Sequence, residues 1–212
     1  DFDSPFSIDM NLYPEFEYMY APDVVKGNDG KYYLYYSMGN TRTVSFIISV
    51  AVANSAAGPF EYLGVVKNPD GTPLQDYVIF DPGLLNDDGH IYLYYGFWFN
   101  FDESPKYTKE KSIQKQMESF RKSREEIEST PGGVQGPVCV ELEDDMLTVK
   151  SKPRRIFPEV YKGTSFSEHQ FFEASSIRKI GKKYYFIYSA FANQELAYAT
   201  SDYPDRCFEY GG

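Results

Sequence analysis

Cysteine is nearly absent from this chain. Cys139 and Cys207 are the only two in 212 residues, too few for a disulfide framework and without the C-x-x-C spacing of a zinc site or redox pair. Both are therefore expected as buried free thiols. Long apolar runs are missing too, since none approaches the roughly 18 residues that a spanning helix needs. The opening Asp1-Phe2-Asp3-Ser4-Pro5 also lacks the basic-then-apolar layout of a secretory leader. No membrane is expected as a partner, and the compartment stays open because a leader removed upstream would leave no trace. Positive charge is in deficit, with 21 Lys and Arg against 31 Asp and Glu, a net charge of -10. Nucleic-acid binding rests on cations neutralising phosphates, so a polyanion is excluded as partner and the ligand is expected to be neutral or cationic.

Aromatic residues, in contrast, are plentiful: 18% of the chain, including 20 Tyr. They fall into a phrase that occurs three times. Tyr20-Ala21-Pro22-Asp23-Val24-Val25 leads to Gly30-Lys31-Tyr32-Tyr33-Leu34-Tyr35-Tyr36, and Phe80-Asp81-Pro82-Gly83-Leu84-Leu85 leads to Gly89-His90-Ile91-Tyr92-Leu93-Tyr94-Tyr95. The third copy, Phe172-Glu173-Ala174-Ser175-Ser176-Ile177, leads to Gly181-Lys182-Lys183-Tyr184-Tyr185-Phe186-Ile187-Tyr188. Each reads as a hairpin, a short apolar strand and an alternating aromatic strand joined by a tight turn at 28–30, 87–89 or 180–182. Most of the tyrosines are read as strand packing and the rest as platforms for a ligand's apolar faces.

Two further strands close the first repeat, around Ser49–Ser55 and Gly58–Gly64, and two close the third, around Leu196–Ser201 and Cys207–Gly211. The middle repeat closes less similarly, with Val138–Leu142 followed by Met146–Val149. Four-stranded units at a period of tens of residues predict an all-β chain, a β-propeller of four-stranded blades. One partial propeller domain over 1–212 follows, with blades at about 18–66, 76–160 and 168–212. The charged stretch Lys106–Ser129, with Ile113, Met117, Phe120 and Ile127 at helical spacing, predicts a solvated helical insertion in the middle blade.

One position of the phrase changes from Ala21 to Asp81 to Glu173. In a propeller the first strand of each blade runs beside the axis, so the two carboxylates are expected to converge despite their separation in sequence. A carboxylate pair flanking a pocket is what glycosidic-bond cleavage requires. The plainer readings are turn geometry for Asp before Pro and an ion pair of Glu173 with Arg178 or Lys179.

Tyr-Ala-Pro-Asp at 20–23, Phe-Asp-Pro at 80–82 and His-Gln-Phe-Phe-Glu-Ala-Ser-Ser-Ile-Arg-Lys at 169–179 resemble the openings of blades two, three and four in family 43 of the glycoside hydrolases. These are five-bladed propellers that hydrolyse arabinose- and xylose-containing polysaccharides with inversion. The resemblance runs from about residue 18 to the end of the chain. It implies that Glu173 is the general acid and Asp81 the modulator of its pKa, since a neighbouring negative charge disfavours ionisation of the acid. It further implies a carbohydrate substrate and no organic cofactor, and it leaves room for calcium at the axis, although no residues signalling a metal site are visible.

The family's general base belongs to a first blade, and only about 20 residues precede the Ala-Pro-Asp phrase here. Asp3 and Asp9 are the base candidates, and neither lies in a hairpin phrase. Tyr20 and Phe80 are expected to line the pocket. His169 is either a sugar contact or structural, Trp98 either a stacking wall or core, and Asp23 either a brace for its hairpin or close to the funnel. The alternative function is a catalytically incomplete fragment acting as a carbohydrate-binding scaffold, or one that self-associates to complete its ring. A related five-bladed family acting on fructans or mannosides fits less well, because its Glu-Cys pair is absent at 173–174.

Overall fold

Alternating aromatic residues between Gly-containing turns fold here as antiparallel hairpins, each extended outward by two more strands. The computed structural model describes residues 18–40, 45–75, 77–97, 109–120, 122–129, 134–191 and 195–212. The first sheet holds β1 (Tyr18–Lys26), β2 (Tyr32–Asn40), β3 (Ser45–Ala53) and β4 (Glu61–Val65) in that order. The second holds β5 (Gly83–Asp87), β6 (His90–Tyr95), β7 (Val138–Leu142) and β8 (Arg154–Arg155). The third holds β9 (Phe171–Ile180), β10 (Lys183–Ala190), β11 (Leu196–Ser201) and β12 (Glu209–Tyr210). These are propeller blades, and β5 packs between β1 and β9 so that the inner strands stand side by side.

The period-2 alternation decides how the blades stack, because facing residues of paired strands share one side of the sheet. Tyr33, Tyr35, Ile48 and Val50 of the first sheet meet Leu84, Leu93, Val140 and Leu142 of the second in one core. The opposite side of the second sheet, with Tyr94 and Cys139, meets Phe171, Ile177, Phe186 and Tyr188 of the third, joined by Phe157 and Phe166 from the connection between them. Each Val, Leu, Ile or Phe among them contributes roughly 1.5–3 kcal/mol on burial. On the remaining side of the third sheet Ile180 and Leu196 are 64% and 80% exposed, beside Tyr185 and Tyr198.

Tyrosine fits this architecture because its ring fills the core while its hydroxyl reaches the next blade. The Tyr35 hydroxyl donates to the Met146 carbonyl at 2.6 Å. Its counterpart Tyr94 donates to the Pro204 carbonyl at 2.6 Å, one blade further on. Replacing either by Phe keeps the ring and strips a covered carbonyl of its partner. Each substitution is expected to cost about 1–2 kcal/mol in urea unfolding with an unchanged m-value; no loss in either would mean the ties carry no stability.

Three expectations are corrected. Met146–Val149 is not the outer strand of the middle blade; that strand is β8. Asp145 accepts the backbone N–H groups of Leu147 and Thr148 and the Thr148 hydroxyl. This turn carries residues 148 and 149 into single bridges with Lys67 and Leu142, stitching the second blade to the first. Cys139 is buried as expected, but Cys207 is exposed, at a left-handed φ of 57° in the connection before β12. The charged insertion forms two helices, α1 (Lys109–Phe120) and α2 (Arg124–Ser129). A capping box starts the second: Ser123 N–H donates to Glu126 Oε2 at 2.7 Å, and Glu126 N–H to Ser123 Oγ at 3.2 Å. Rather than being solvated all round, the pair buries Ile113 and Ile127 with Val78 and Val134, against Phe80 and Phe97.

Candidate active site

The repeated phrase opens each inner strand with an irregularity. Pairing of β1 with β2 shifts register between Tyr20 and Asp23, and pairing of β9 with β10 shifts between Ile187 and Ser189. Ala21 and Asp81 adopt left-handed φ values of 40° and 47°, each directly before a proline. In the third phrase Ala174 stands where the others have proline, and it takes the left-handed φ itself, at 64°. Bulges of this kind re-aim side chains next to functional sites.

Here they bring Asp81 and Glu173 together. The Ala174 N–H donates to Asp81 Oδ2 at 2.9 Å, a bond from the third blade to the second. On its other side the Asp81 N–H donates to Ser37 Oγ of the first blade at 3.0 Å. Asp81 is buried, 6% exposed, whereas Glu173 is half-buried. Burial holds the Asp81 carboxyl up at about 7; the Ala174 N–H pulls the other way, and the Glu173 charge adds to the rise. Glu173 is also raised, by burial. The heavier push thus falls on Asp81, because it is the more deeply desolvated of the two. The Glu173 charge thus acts on Asp81, as a minor addition to burial.

Around them runs a file of rings. Phe80 contacts Tyr20 at 5.4 Å, Phe46 at 5.1 Å and Phe97 at 5.5 Å between centroids. Phe97 in turn contacts Phe172 at 5.0 Å, and Phe172 contacts Phe191 at 5.6 Å. Tyr20, Phe80 and Phe172 each directly precede the variable position of their phrase, so the file joins all three blades beside the carboxylates. Phe172 occupies the same place in the phrase as Tyr20 and Phe80, a signal that would have marked it as a site residue. Phe46, Phe97 and Ser37 carry no comparable mark.

The other candidates lie apart. His169 stacks on Tyr210 at 3.9 Å and 5°, and its Nδ1 meets Glu195; no contact between it and the carboxylate pair occurs among the described residues. Asp23 braces neighbouring blades, accepting the Leu84 N–H at 2.8 Å. The ion-pair reading of Glu173 does not hold: Lys179 pairs with Asp87, and the Arg178 guanidinium lies 4.0 Å from Asp23. Trp98, Asp3 and Asp9 lie outside the described residues. Among the described residues, no three His, Cys, Asp or Glu side chains group as a metal site.

Stacked four-stranded blades, with the buried Asp81 and the half-buried Glu173 brought together at one end of their inner strands, define a propeller with a carboxylate pair. The profile of the glycosyl hydrolases family 43 matches residues 4–132, which include Asp81 and end before Glu173. A xylosidase/arabinosidase of Thermoclostridium stercorarium is 40% identical over 92% of this chain and 35% of its own length. Xylosidase/arabinosidase 43A of Humicola insolens is 32% identical over 92% of this chain and 57% of its own. Among solved structures, a β-xylosidase/α-arabinofuranosidase from a compost microbial metagenome superposes with a TM-score of 0.61 at 28% identity, covering 93% of this chain and 58% of the other. A family-43 enzyme of Xanthomonas citri in complex with xylotriose gives 0.62 at 25%, covering 94% and 56%. The chain belongs to family 43 of the glycosyl hydrolases. It spans between about a third and three-fifths of the length of these relatives.

Proposed function

We propose that this chain carries the acid half of an inverting glycosidase site for arabinofuranosidic or xylosidic linkages. The observation behind this reading is the unequal burial of the pair. Glu173 reaches solvent and can meet a ligand, while Asp81 is covered and acts on its neighbour through space. Glu173, raised by its own burial, gives its proton to the departing glycosidic oxygen from the form in which Asp81 carries the charge, and that charge opposes early loss of the proton. Tyr20 and Phe80, with Phe97 and Phe172, form the apolar wall against which a sugar ring packs. The names of the relatives support the substrate class, and no organic cofactor or calcium enters the reading. The base that activates water is not assigned.

A second reading, a carbohydrate-binding or self-associating scaffold without turnover, is favoured by one observation. Ala21 offers a methyl where the next two phrases offer carboxylates, so the repeat supplies no third acid among the described residues. The exposed Ile180, Leu196 and Tyr198 of the third sheet form a surface suited to self-association.

Aryl xylosides and arabinofuranosides with good and poor leaving groups separate the two readings, with molar mass recorded by light scattering on the same sample. Glu173→Gln is expected to lower hydrolysis about 100-fold or more, most for the poorest leaving group, which depends most on the acid. An equal loss across leaving groups would remove Glu173 from the acid role. A parent chain that binds sugar without hydrolysing it would leave the second reading standing, and a monodisperse monomer would sink its self-association.

A further inference from the structure

We infer that Ser37 is a positioning residue that holds Asp81 in its functional conformation. This rests on reading Asp81 as the partner of the acid Glu173, and it adds a residue from the blade that carries neither carboxylate. Asp81 sits at a φ of 47°, a conformation that costs a side-chain-bearing residue about 1 kcal/mol or more unless its surroundings enforce it. Two contacts enforce it here. One is the bond from Ala174 N–H to the carboxylate; the other is the bond from Asp81 N–H to Ser37 Oγ. Ser37 is fully buried on the side of the first sheet that faces the second, opposite Tyr20 where the β1 bulge begins. Its hydroxyl therefore meets a backbone N–H that water does not reach. Such a donor costs about 1–3 kcal/mol if left unpaired.

The second phrase lacks this hydroxyl. Counting from the turn glycine, Ser37 in the first phrase corresponds to Gly96 in the second. The blade preceding Asp81 thus supplies a hydroxyl where the blade preceding Glu173 supplies none. The third phrase has Ser189 after Tyr188, as Ser37 follows Tyr36, so the case for Ser37 rests on its bond to the Asp81 N–H and not on the repeat. Together the two bonds run Ser37 to Asp81 to Ala174 across three blades, so the placement of the carboxylate depends on all of them.

The test reads the Asp81 carboxyl directly, by carbon-13 NMR titration of this chain, which needs no turnover. Ser37→Ala is expected to free the peptide at Asp81, admit water, and lower the Asp81 pKa by about one unit or more from its raised position. Ser49→Ala removes an equally buried hydroxyl from β3 that does not touch Asp81, and it is expected to leave the titration unchanged. An unshifted Asp81 in folded Ser37→Ala overturns the inference, as does an equal shift in both variants. Amide exchange on the unsubstituted chain gives an independent check: slow exchange at Asp81 is required, and fast exchange overturns the inference even if Ser37→Ala does not fold. Failure of the glycosidase reading would appear as absent hydrolysis with these titration differences intact.

Discussion

Adding a single methyl group at Gly83 is expected to lower stability by about 3 kcal/mol, near the upper end for overpacking. It is also expected to dismantle the carboxylate pair. Gly83 is the first residue of β5 and faces β9 across the blade interface. A Cβ placed there would lie 2.5 Å from the Ser175 carbonyl oxygen and 3.0 Å from its carbon. Both atoms are backbone, so no side-chain rotation relieves the contact, and the strands must separate. Separation acts on the two residues on either side, since Asp81 and Ala174 are joined by a bond across this same seam. The expected readouts for Gly83→Ala are a melting temperature lower by about 6–12 °C and faster amide exchange at Ala174. Gly89→Ala is the contrast: its φ of +96° disfavours a side chain, but its nearest neighbour, the Asn28 side chain, is 3.8 Å away. That substitution is expected to cost about 1 kcal/mol and to leave Ala174 protected. Equal exchange at Ala174 in both variants would show that close approach at Gly83 does not set the seam.

This seam also shows what a sequence reading could and could not reach. The hairpins were legible because turn glycines and period-2 aromatics are local signals. Convergence of Asp81 with Glu173 was legible because a repeat converts equal phrase position into spatial neighbourhood. The outer strand of the middle blade was not. Arg154–Arg155 is too short to show a period, while Met146–Val149 looks strand-like and is diverted by the Asp145 turn. Ser37 ends an aromatic run, and nothing local says that its hydroxyl faces another blade. The burial of the helix pair was half legible: Ile113, Met117 and Ile127 mark an apolar face, but only the fold shows that it meets Phe80 and Phe97 beside the site. Least legible was the difference in desolvation between the two carboxyls. It depends on which of two equivalent positions the neighbouring blades cover.

That difference has a large consequence for stability. Asp81 is an acid whose pKa is raised on folding, from an ordinary 3.8 to about 7. The fold therefore favours its protonated form. Below pH 4 Asp81 is protonated whether the chain is folded or not, and it exerts no pH-linked penalty. As pH rises from 4 to 7 the unfolded chain ionises first, and folding loses about 1.36 kcal/mol for each unit of difference, about 4 kcal/mol in all. Above about pH 7 the penalty is complete and constant. Asp81→Asn removes the charge, and its amide oxygen still accepts the Ala174 N–H. The variant is expected to match the parent near pH 4 and to exceed it by up to about 4 kcal/mol at pH 8, measured by urea unfolding. Hydrolysis should move the other way: in the form of the pair that holds its proton on Glu173 and its charge on Asp81, that charge opposes loss of the proton, so Asp81→Asn is expected to shift the acid-dependent limb of the pH profile to lower pH. A stability gain paired with that shift is the pattern of a residue kept for chemistry at the expense of the fold. Parallel stability curves for parent and variant from pH 4 to 8 would mean that Asp81 ionises freely in the folded chain. An unshifted activity profile would separate Asp81 from the acid even if the stability gain appears.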